Sequence, residues 1–275
     1  MWKGIDVSDN QGVIDWGAVS AAGVEFAVLR SVRRSGKADH QFAANLAGCQ
    51  AHGIPVSVYK YTYATSPAAA AEEARQVVAL LQSSGMTGTI VWWDVEDRDV
   101  LQPLGRTLLT ECIRAAQAVI EAAGYRFGLY TGLYVYNEKW FDFGAFTCPL
   151  WVARYYAGYN IMQFGMMPRE DKVPDVGRDL WGWQYTSTGR VPGISGNVDL
   201  DVCYQDPAES VMPAPTEAYY PLPHVQEVFG VCGIPSSYQD RKKIAVKNGL
   251  IGYSGTVDEN MFLIGLLAQG KLRKA

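Results

Sequence analysis

Two carboxylates end an apolar stretch of the chain that reads TIVWWDVED, residues 89–97. In a strand, residues two apart point to the same face, so we expect Asp94 and Glu96 to project side by side, with Asp97 turned away. Two like charges held that close resist joint ionisation, which pushes their proton affinities apart. An isolated D-x-E pair is more often a solvated turn, so its meaning depends on what surrounds it.

Further polar and aromatic side chains stand where other predicted strands end. They are Asp6, Tyr61, Tyr63, Tyr130, Arg154, Gln184 and Asp199. Because the active site of a β/α barrel lies at the C-terminal ends of its strands, we expect these side chains to converge on one mouth. Clustered carboxylates with aromatic rings are typical of glycoside hydrolysis, in which a protonated carboxyl group donates to the leaving oxygen and others stabilise positive charge.

The elements that must position these residues follow a weak repeat of an Ala-rich helix, a glycine and a β-branched strand. The junction glycines are Gly23, Gly53, Gly85 and Gly124, at intervals of 30, 32 and 39 residues, about one βα unit. Glycine suits the left-handed position after a helix, and Ser66-Pro67 predicts a helix start. Later strands are predicted at LWVARYY, LWGWQYT and NVDLDV, with little helical sequence between them. The predicted fold class is α/β, an irregular (β/α) TIM-like barrel over residues 1–206.

A second, smaller domain is predicted beyond a linker. Residues 207–223 are rich in proline and lack periodicity, which indicates a semi-extended segment. Residues 224–275 are predicted to form a small helical domain with helices around 224–231, 238–247 and 258–269. Thr256 and Glu259 have the spacing of a capping box at the third helix.

Nearly all of residues 2–206 resembles the family 25 glycoside hydrolases, muramidases that include many phage endolysins. The matching stretches are GIDVSDNQGVIDW, VSVYKYTYA, VWWDVE, GLYTG, PLWVARY and WGWQYTSTGRVPGISGNVDLD. The resemblance implies an irregular barrel and cleavage of the β-1,4 bond between N-acetylmuramic acid and N-acetylglucosamine in bacterial peptidoglycan. It also implies that Glu96 is the proton donor, Asp94 its partner, and Asp6 and Asp199 supporting carboxylates. Tyr61, Tyr63, Tyr130, Trp151 and Gln184 match the family's substrate groove.

The role of Asp94 stays open at this stage. It either orients the acetamido group of the substrate as an internal nucleophile or attacks the anomeric carbon itself, and inversion is a third possibility. Both carboxyl groups come from one strand end, which fits substrate assistance better than two groups that flank the bond.

Other functions are weighed against this one. A catalytically silent glycan-binding protein and an N-acetylglucosaminidase or chitinase-type enzyme are the alternatives. Four carboxylates could also bind Mg²⁺ or Ca²⁺, but the aromatic surroundings and the lack of a basic phosphate-gripping loop disfavour a phosphoesterase. We therefore expect no metal, no cofactor and no nucleic-acid partner. The five cysteines are odd in number and scattered, which indicates buried thiols rather than a disulfide framework.

Charge and the chain start suggest where the protein works. The net charge of -4 combines +3 for residues 224–275 with -7 for the rest, so the helical domain is a candidate for binding anionic polymers of the cell wall. The N-terminal residues show neither a charged leader nor an apolar segment, and no stretch is long enough to span a membrane. We therefore expect synthesis in the cytoplasm without a signal peptide and action on the cell wall after release, through a holin if the gene belongs to a phage.

Overall fold

A computed structural model describes residues 1–156, 162–208, 229, 234–235, 237–250, 252–268 and 271–273. The chain divides into two compact units, Met1–Pro215 and Thr216–Ala275. Most of the predicted linker and of the first predicted C-terminal helix lies outside the described residues. The predicted domain boundaries therefore stay a prediction.

Eight strands of the first unit close into one barrel in chain order. They are β1 (Trp2–Val7), β2 (Phe26–Arg30), β3 (Val56–Tyr61), β4 (Ile90–Asp94), β5 (Arg126–Gly132), β6 (Leu150–Ala153), β7 (Gly182–Gly189) and β8 (Val198–Cys203). Strands β1 to β7 run parallel to one another, and β8 is antiparallel to both of its neighbours, β7 and β1. The predicted irregular α/β barrel is confirmed.

The direction of β8 differs from the prediction, which placed Asp199 at the C-terminal end of a strand. Asp199 is the second residue of β8. Because β8 is antiparallel to β1, its N-terminal end lies at the mouth of the barrel, beside the C-terminal ends of the parallel strands. Only residues 190–197 separate β7 from β8, too few for the helical crossover that parallel neighbours need.

Helices surround the barrel where the sequence repeat predicts them. They are α1 (Trp16–Ala21), α2 (Phe42–Ala51), α3 (Pro67–Ser83), α4 (Arg98–Leu101), α5 (Gly105–Ala122) and α6 (Leu133–Glu138). Ser66 caps α3 by accepting a hydrogen bond from the Ala69 amide at 3.2 Å, with Pro67 at its first position. Gly85 and Gly124 follow α3 and α5 with φ of 68° and 82°, the left-handed conformation that ends a helix.

The lower part of the barrel is filled by aromatic rings. Trp92 and Trp181 pack with their ring centroids 4.4 Å apart, and the Trp92 indole donates to the Ser57 hydroxyl at 3.0 Å. Gly128 makes room for Trp92, since a β-carbon there would lie 2.6 Å from its ring. Because this end of the barrel is filled by apolar side chains, the polar inward-facing residues lie at the upper end.

The second unit contains α7 (Tyr238–Lys247) and α8 (Val257–Ala268). Its core includes Phe229, Ile244, Tyr253 and Leu263. The Thr256 hydroxyl accepts from the Glu259 amide at 3.3 Å, and Glu259 accepts from the Thr256 amide at 2.8 Å, so the expected capping box is present. No helix within the described ranges is both long and apolar enough to cross a bilayer.

Candidate active site

A polar cleft opens at the upper end of the barrel. It is lined by Asp6, Tyr59, Tyr61, Asp94, Glu96, Tyr130, Trp151, Tyr155, Gln184 and Asp199. The structure thus brings together all four predicted carboxylates and four of the six predicted substrate-binding residues. Tyr63 and Arg154 line adjoining depressions that share Tyr61 and Glu96, respectively, with the cleft.

Asp94 and Glu96 occupy different environments although they are two residues apart. Asp94 is the last residue of β4 and is fully buried, and its Oδ1 atom has no hydrogen-bond partner among the described residues. Burial, and then the charge of Glu96, raise the pKa of Asp94 well above its usual value. Burial, and then the charges of Asp199 and Asp97, raise the pKa of Glu96 to about 7. Glu96 is thus suited to hold a proton for a leaving group near neutral pH.

The segment after β4 is fixed from two sides. The Thr131 hydroxyl donates to the Val95 carbonyl at 2.6 Å, and the Tyr134 hydroxyl donates to the Glu96 carbonyl at 2.7 Å. Asp97, which we expected to turn away from Asp94 and Glu96, is not among the residues that line the cleft. It caps α4 through the Val100 amide, and its other oxygen accepts from the Tyr61 hydroxyl at 3.3 Å.

Asp6, Asp199 and Asp201 form a second acidic group on the neighbouring strands β1 and β8. Burial and the charges of Asp199 and Asp201 raise the pKa of Asp6 well above its usual value, and burial raises that of Asp199 to about 7. Burial followed by the charge of Asp199 also raises the pKa of Asp201. The Oδ2 atom of Asp201 has no donor in the described part of the chain unless Asp6 carries a proton.

Gln184 connects this acidic group to the aromatic side of the cleft. Its Nε2 atom donates to Asp6 Oδ2 at 2.6 Å, and its Oε1 atom accepts from the Tyr130 hydroxyl at 2.8 Å and from the Tyr155 hydroxyl. Since donors and acceptors are matched on both sides of the amide, Gln184 holds Asp6 and the two tyrosines in one arrangement. Trp151 lies beside them and donates to Asp201 Oδ1 at 3.0 Å.

The end of β3 and the residues that follow it are held in place by helix α3. Glu73 of α3 accepts from the Thr62 hydroxyl at 2.7 Å and from the Tyr63 amide at 3.3 Å, and the Lys60 ammonium lies 3.6 Å from it. The rings of Tyr61 and Tyr63 are 4.8 Å apart. Arg154, by contrast, directs its guanidinium to the carbonyls of Lys172 and Val173 at 2.8 and 3.2 Å rather than to a carboxylate.

Sequence reasoning missed Tyr59, Tyr155 and Asp201. Tyr59 and Asp201 each lie two residues from a predicted site residue on the same strand, so strict alternation along β3 and β8 could have found them. Tyr155 lies four residues after Trp151 in the predicted strand LWVARYY, so the same alternation indicated it. Among the described residues, no group of three or more His, Cys, Asp and Glu side chains is arranged to hold a metal ion.

The model of the family described as glycosyl hydrolases family 25 matches residues 5–194, which is most of the barrel. The chain belongs to this family. Two curated relatives are the autolytic lysozyme of Clostridium acetobutylicum, 25% identical over 72% of this chain, and lysozyme M1 of Streptomyces globisporus, 28% identical over 72%. The chain spans 55% and 66% of their respective lengths.

A solved structure from a phage superposes on the barrel. The catalytic domain of endolysin ply40, from bacteriophage P40 of Listeria monocytogenes, superposes with a TM-score of 0.63 at 25% identity. The match covers 77% of this family 25 chain and 97% of that domain. Relatives of this family 25 barrel therefore include both bacterial and phage proteins.

Proposed function

We propose that the protein is a muramidase that cleaves the β-1,4 bond between N-acetylmuramic acid and N-acetylglucosamine in peptidoglycan. The observation that carries the proposal is Glu96, a partly buried carboxyl group with a pKa of about 7 in an aromatic-lined cleft of a family 25 barrel. The lysozymes among its relatives support this substrate.

Glu96 donates its proton to the glycosidic oxygen as the bond breaks and later accepts a proton from water. Asp94 stays below the sugar, where its raised pKa allows it to receive a hydrogen bond from, or donate one to, the acetamido group of the substrate. The acetamido oxygen then attacks the anomeric carbon, and the sugar retains its configuration after hydrolysis. Asp6 and Asp199, across the cleft, stabilise the positive charge that develops on the ring.

The test is mass spectrometry of fragments released from purified peptidoglycan after borohydride reduction. We expect reduced muramic acid ends from the wild type and from Glu72→Gln, and none from Glu96→Gln. Glu72 is the matched control, since it receives the same substitution but lies exposed on α3 and pairs with Arg75. Reduced glucosamine ends would indicate a glucosaminidase, and binding without fragments would indicate a glycan-binding protein.

The second unit is proposed to hold the enzyme on the wall by binding anionic polymers. Lys242, Lys243 and Lys247 are exposed on α7 around Val246. We expect the full chain with all three lysines changed to glutamine to sediment less with whole walls while it degrades soluble glycan normally. The control variant changes three exposed arginines of the barrel helices, Arg75, Arg106 and Arg114, to glutamine. Equal sedimentation of both variants would contradict the proposal.

We also propose that the protein is made in the cytoplasm and released through a holin as a phage endolysin, and the phage relative supports this route. Fractionation of host cells with and without holin expression tests it. Activity that leaves the cell without a holin would point to a bacterial autolysin.

A further inference from the structure

A depression beside the catalytic cleft is lined by Arg30, Arg33, Arg34, Tyr59, Tyr61 and Tyr63, and we name it the basic arm. Tyr59 and Tyr61 also line the cleft that contains Asp94 and Glu96. The basic arm is thus continuous with the cleft, and a polymer lying across the carboxylates can reach it.

Two of the three arginines of the basic arm lack an acidic partner. Arg30 is neutralised by Asp9 and by Asp39, whose Oδ2 atom lies 2.7 Å from the Arg30 Nε atom. Within the described residues, Arg33 and Arg34 have no carboxylate at salt-bridge distance. The arm therefore presents positive charge next to a cleft that is rich in carboxyl groups.

The Arg34 side chain is positioned to donate hydrogen bonds into the arm. Its guanidinium lies over the Tyr63 ring, 4.4 Å from the centroid. Stacking uses the flat face of a guanidinium and leaves the N–H groups at its edge able to bind a planar anion. Tyr63 contacts Tyr61, which connects Arg34 to the catalytic cleft through two aromatic rings.

The loop that carries these arginines is ordered by its own backbone. Val32 and Ala38 form an antiparallel bridge, the Arg33 amide donates to the Lys37 carbonyl at 2.9 Å, and the Gly36 amide donates to the Arg33 carbonyl at 3.0 Å. Gly36 has a φ of 78°, and a β-carbon there would lie 2.9 Å from the Gln76 side chain of α3. The arm is thus held in place before any ligand binds, which lowers the entropy cost of binding.

We propose that Arg33 and Arg34 bind a carboxylate carried by the glycan strand in the cleft. The inference rests on the proposed function: muramic acid carries a lactyl group, whose carboxylate is free on peptide-stripped strands, and in the intact wall the attached peptide brings its own carboxylates. The carboxyl groups of the cleft offer these charges no favourable partner, and the arginines of the basic arm supply one. The arginines thereby select muramyl strands over neutral polymers of N-acetylglucosamine.

The experiment measures the affinity of the full chain for peptide-free glycan strands in two forms, with free lactyl carboxylates and with the same groups amidated by methylamine. Glu96→Gln, combined with each arm variant, prevents cleavage during the measurement. We expect Glu96→Gln to bind the free acid about tenfold more tightly at low ionic strength, as for a single well-placed charge interaction. With Arg33→Gln and Arg34→Gln added, the ratio should fall to about twofold or less, with affinity for amidated strands unchanged.

Two further variants separate charge recognition from loop structure. Lys37→Gln removes a positive charge from the same loop outside the basic arm and should keep the tenfold preference. Arg34→Gln alone leaves intact the Arg33 Nε bond to the Ala38 carbonyl, at 3.0 Å, and should lose about half of the preference in free energy.

Several outcomes overturn the inference. Equal affinity of Glu96→Gln for the free-acid and the amidated strands would do so. An unchanged preference for the free acid after Arg33→Gln and Arg34→Gln would do so as well. The same would follow if these two substitutions lowered the affinity for both kinds of strand equally. Competition by a soluble polyglycerol phosphate that depends on the arginines, without an effect of amidation, would assign the arm to phosphate instead. The proposed muramidase function is tested separately, by incubating the wild-type enzyme with the same strands and measuring new reducing ends. Their absence would contradict that function.

Discussion

Asp6 of β1 and Asp199 of β8 are directly opposite each other in an antiparallel register pair. This pairing closes the barrel and places two carboxyl groups across the mouth from Asp94 and Glu96. The charge of Asp199 raises the pKa of Glu96, second only to burial, so the closing strand also sets the proton affinity of the predicted acid.

Asp199→Asn should move the alkaline limb of the kcat/KM profile to lower pH. Removal of the Asp199 charge lowers the pKa of Glu96 from about 7, by roughly half to one unit. The profile is measured on soluble glycan strands between pH 4 and 9. Asp97→Asn, which removes a charge with a smaller influence and keeps a residue able to cap α4, should give a smaller shift. An unchanged alkaline limb in Asp199→Asn would show that this limb does not reflect the titration of Glu96.

Glu96→Gln should make the barrel more stable at alkaline pH. The pKa of Glu96 is raised from 4.5 in the unfolded chain to about 7 in the folded one, so its stabilising contribution is complete below pH 4.5 and is lost as pH rises through 7. The loss in the free energy of unfolding is at most about 3.4 kcal/mol, from 2.5 pKa units at about 1.4 kcal/mol each. Thermal unfolding of wild type and variant at pH 5 and pH 8 checks this, and a difference that does not grow with pH contradicts it.

Gln184→Leu should reduce both activity and stability. The substitution leaves the Tyr130 hydroxyl without its buried acceptor and Asp6 without its amide donor, at a cost of about 1–3 kcal/mol in the free energy of unfolding. We expect kcat to fall about tenfold or more because Asp6 is no longer held in place. Gln184→Glu is the companion variant, since it keeps the acceptor but removes the donor. If both variants retain wild-type kcat, Gln184 only fills space.

Asp201→Asn should be tolerated, in contrast to Asp6→Asn. Asp201 does not line the cleft and contacts Trp151 and Asp6 below it. The amide of an asparagine could still accept a hydrogen bond from the Trp151 indole through its oxygen and donate one to Asp6 through its N–H group. Replacement of this buried ionisable carboxyl group by a neutral amide should raise the free energy of unfolding at pH 7 by about 1 kcal/mol. Urea unfolding and kcat, measured for both variants, test this. A loss of activity as large as that of Asp6→Asn would place Asp201 in the reaction.

Much of the fold followed from local patterns. The Ser66 cap, the glycines after α3 and α5, and the capping box at Thr256 depend on residues three or four apart in the chain, and all are present. The four carboxylates and their common mouth were also predicted, since strand ends can be located from the alternation and composition of single strands. The roles of these side chains in catalysis stay predictions.

Contacts between distant parts of the chain decided the rest. The reversal of β8 depends on the length of its connection and on closure against β1, and it turns Asp199 toward Asp6. The proton affinities of Asp94 and Glu96, the Gln184 hydrogen bonds and the basic arm at Arg33 and Arg34 likewise need groups that are far apart in sequence. The sequence by itself determined which side chains could do chemistry and on which strands they stand. Only the tertiary structure decided their burial, their charged neighbours and hence their protonation, because desolvation and Coulomb interactions depend on distance in space.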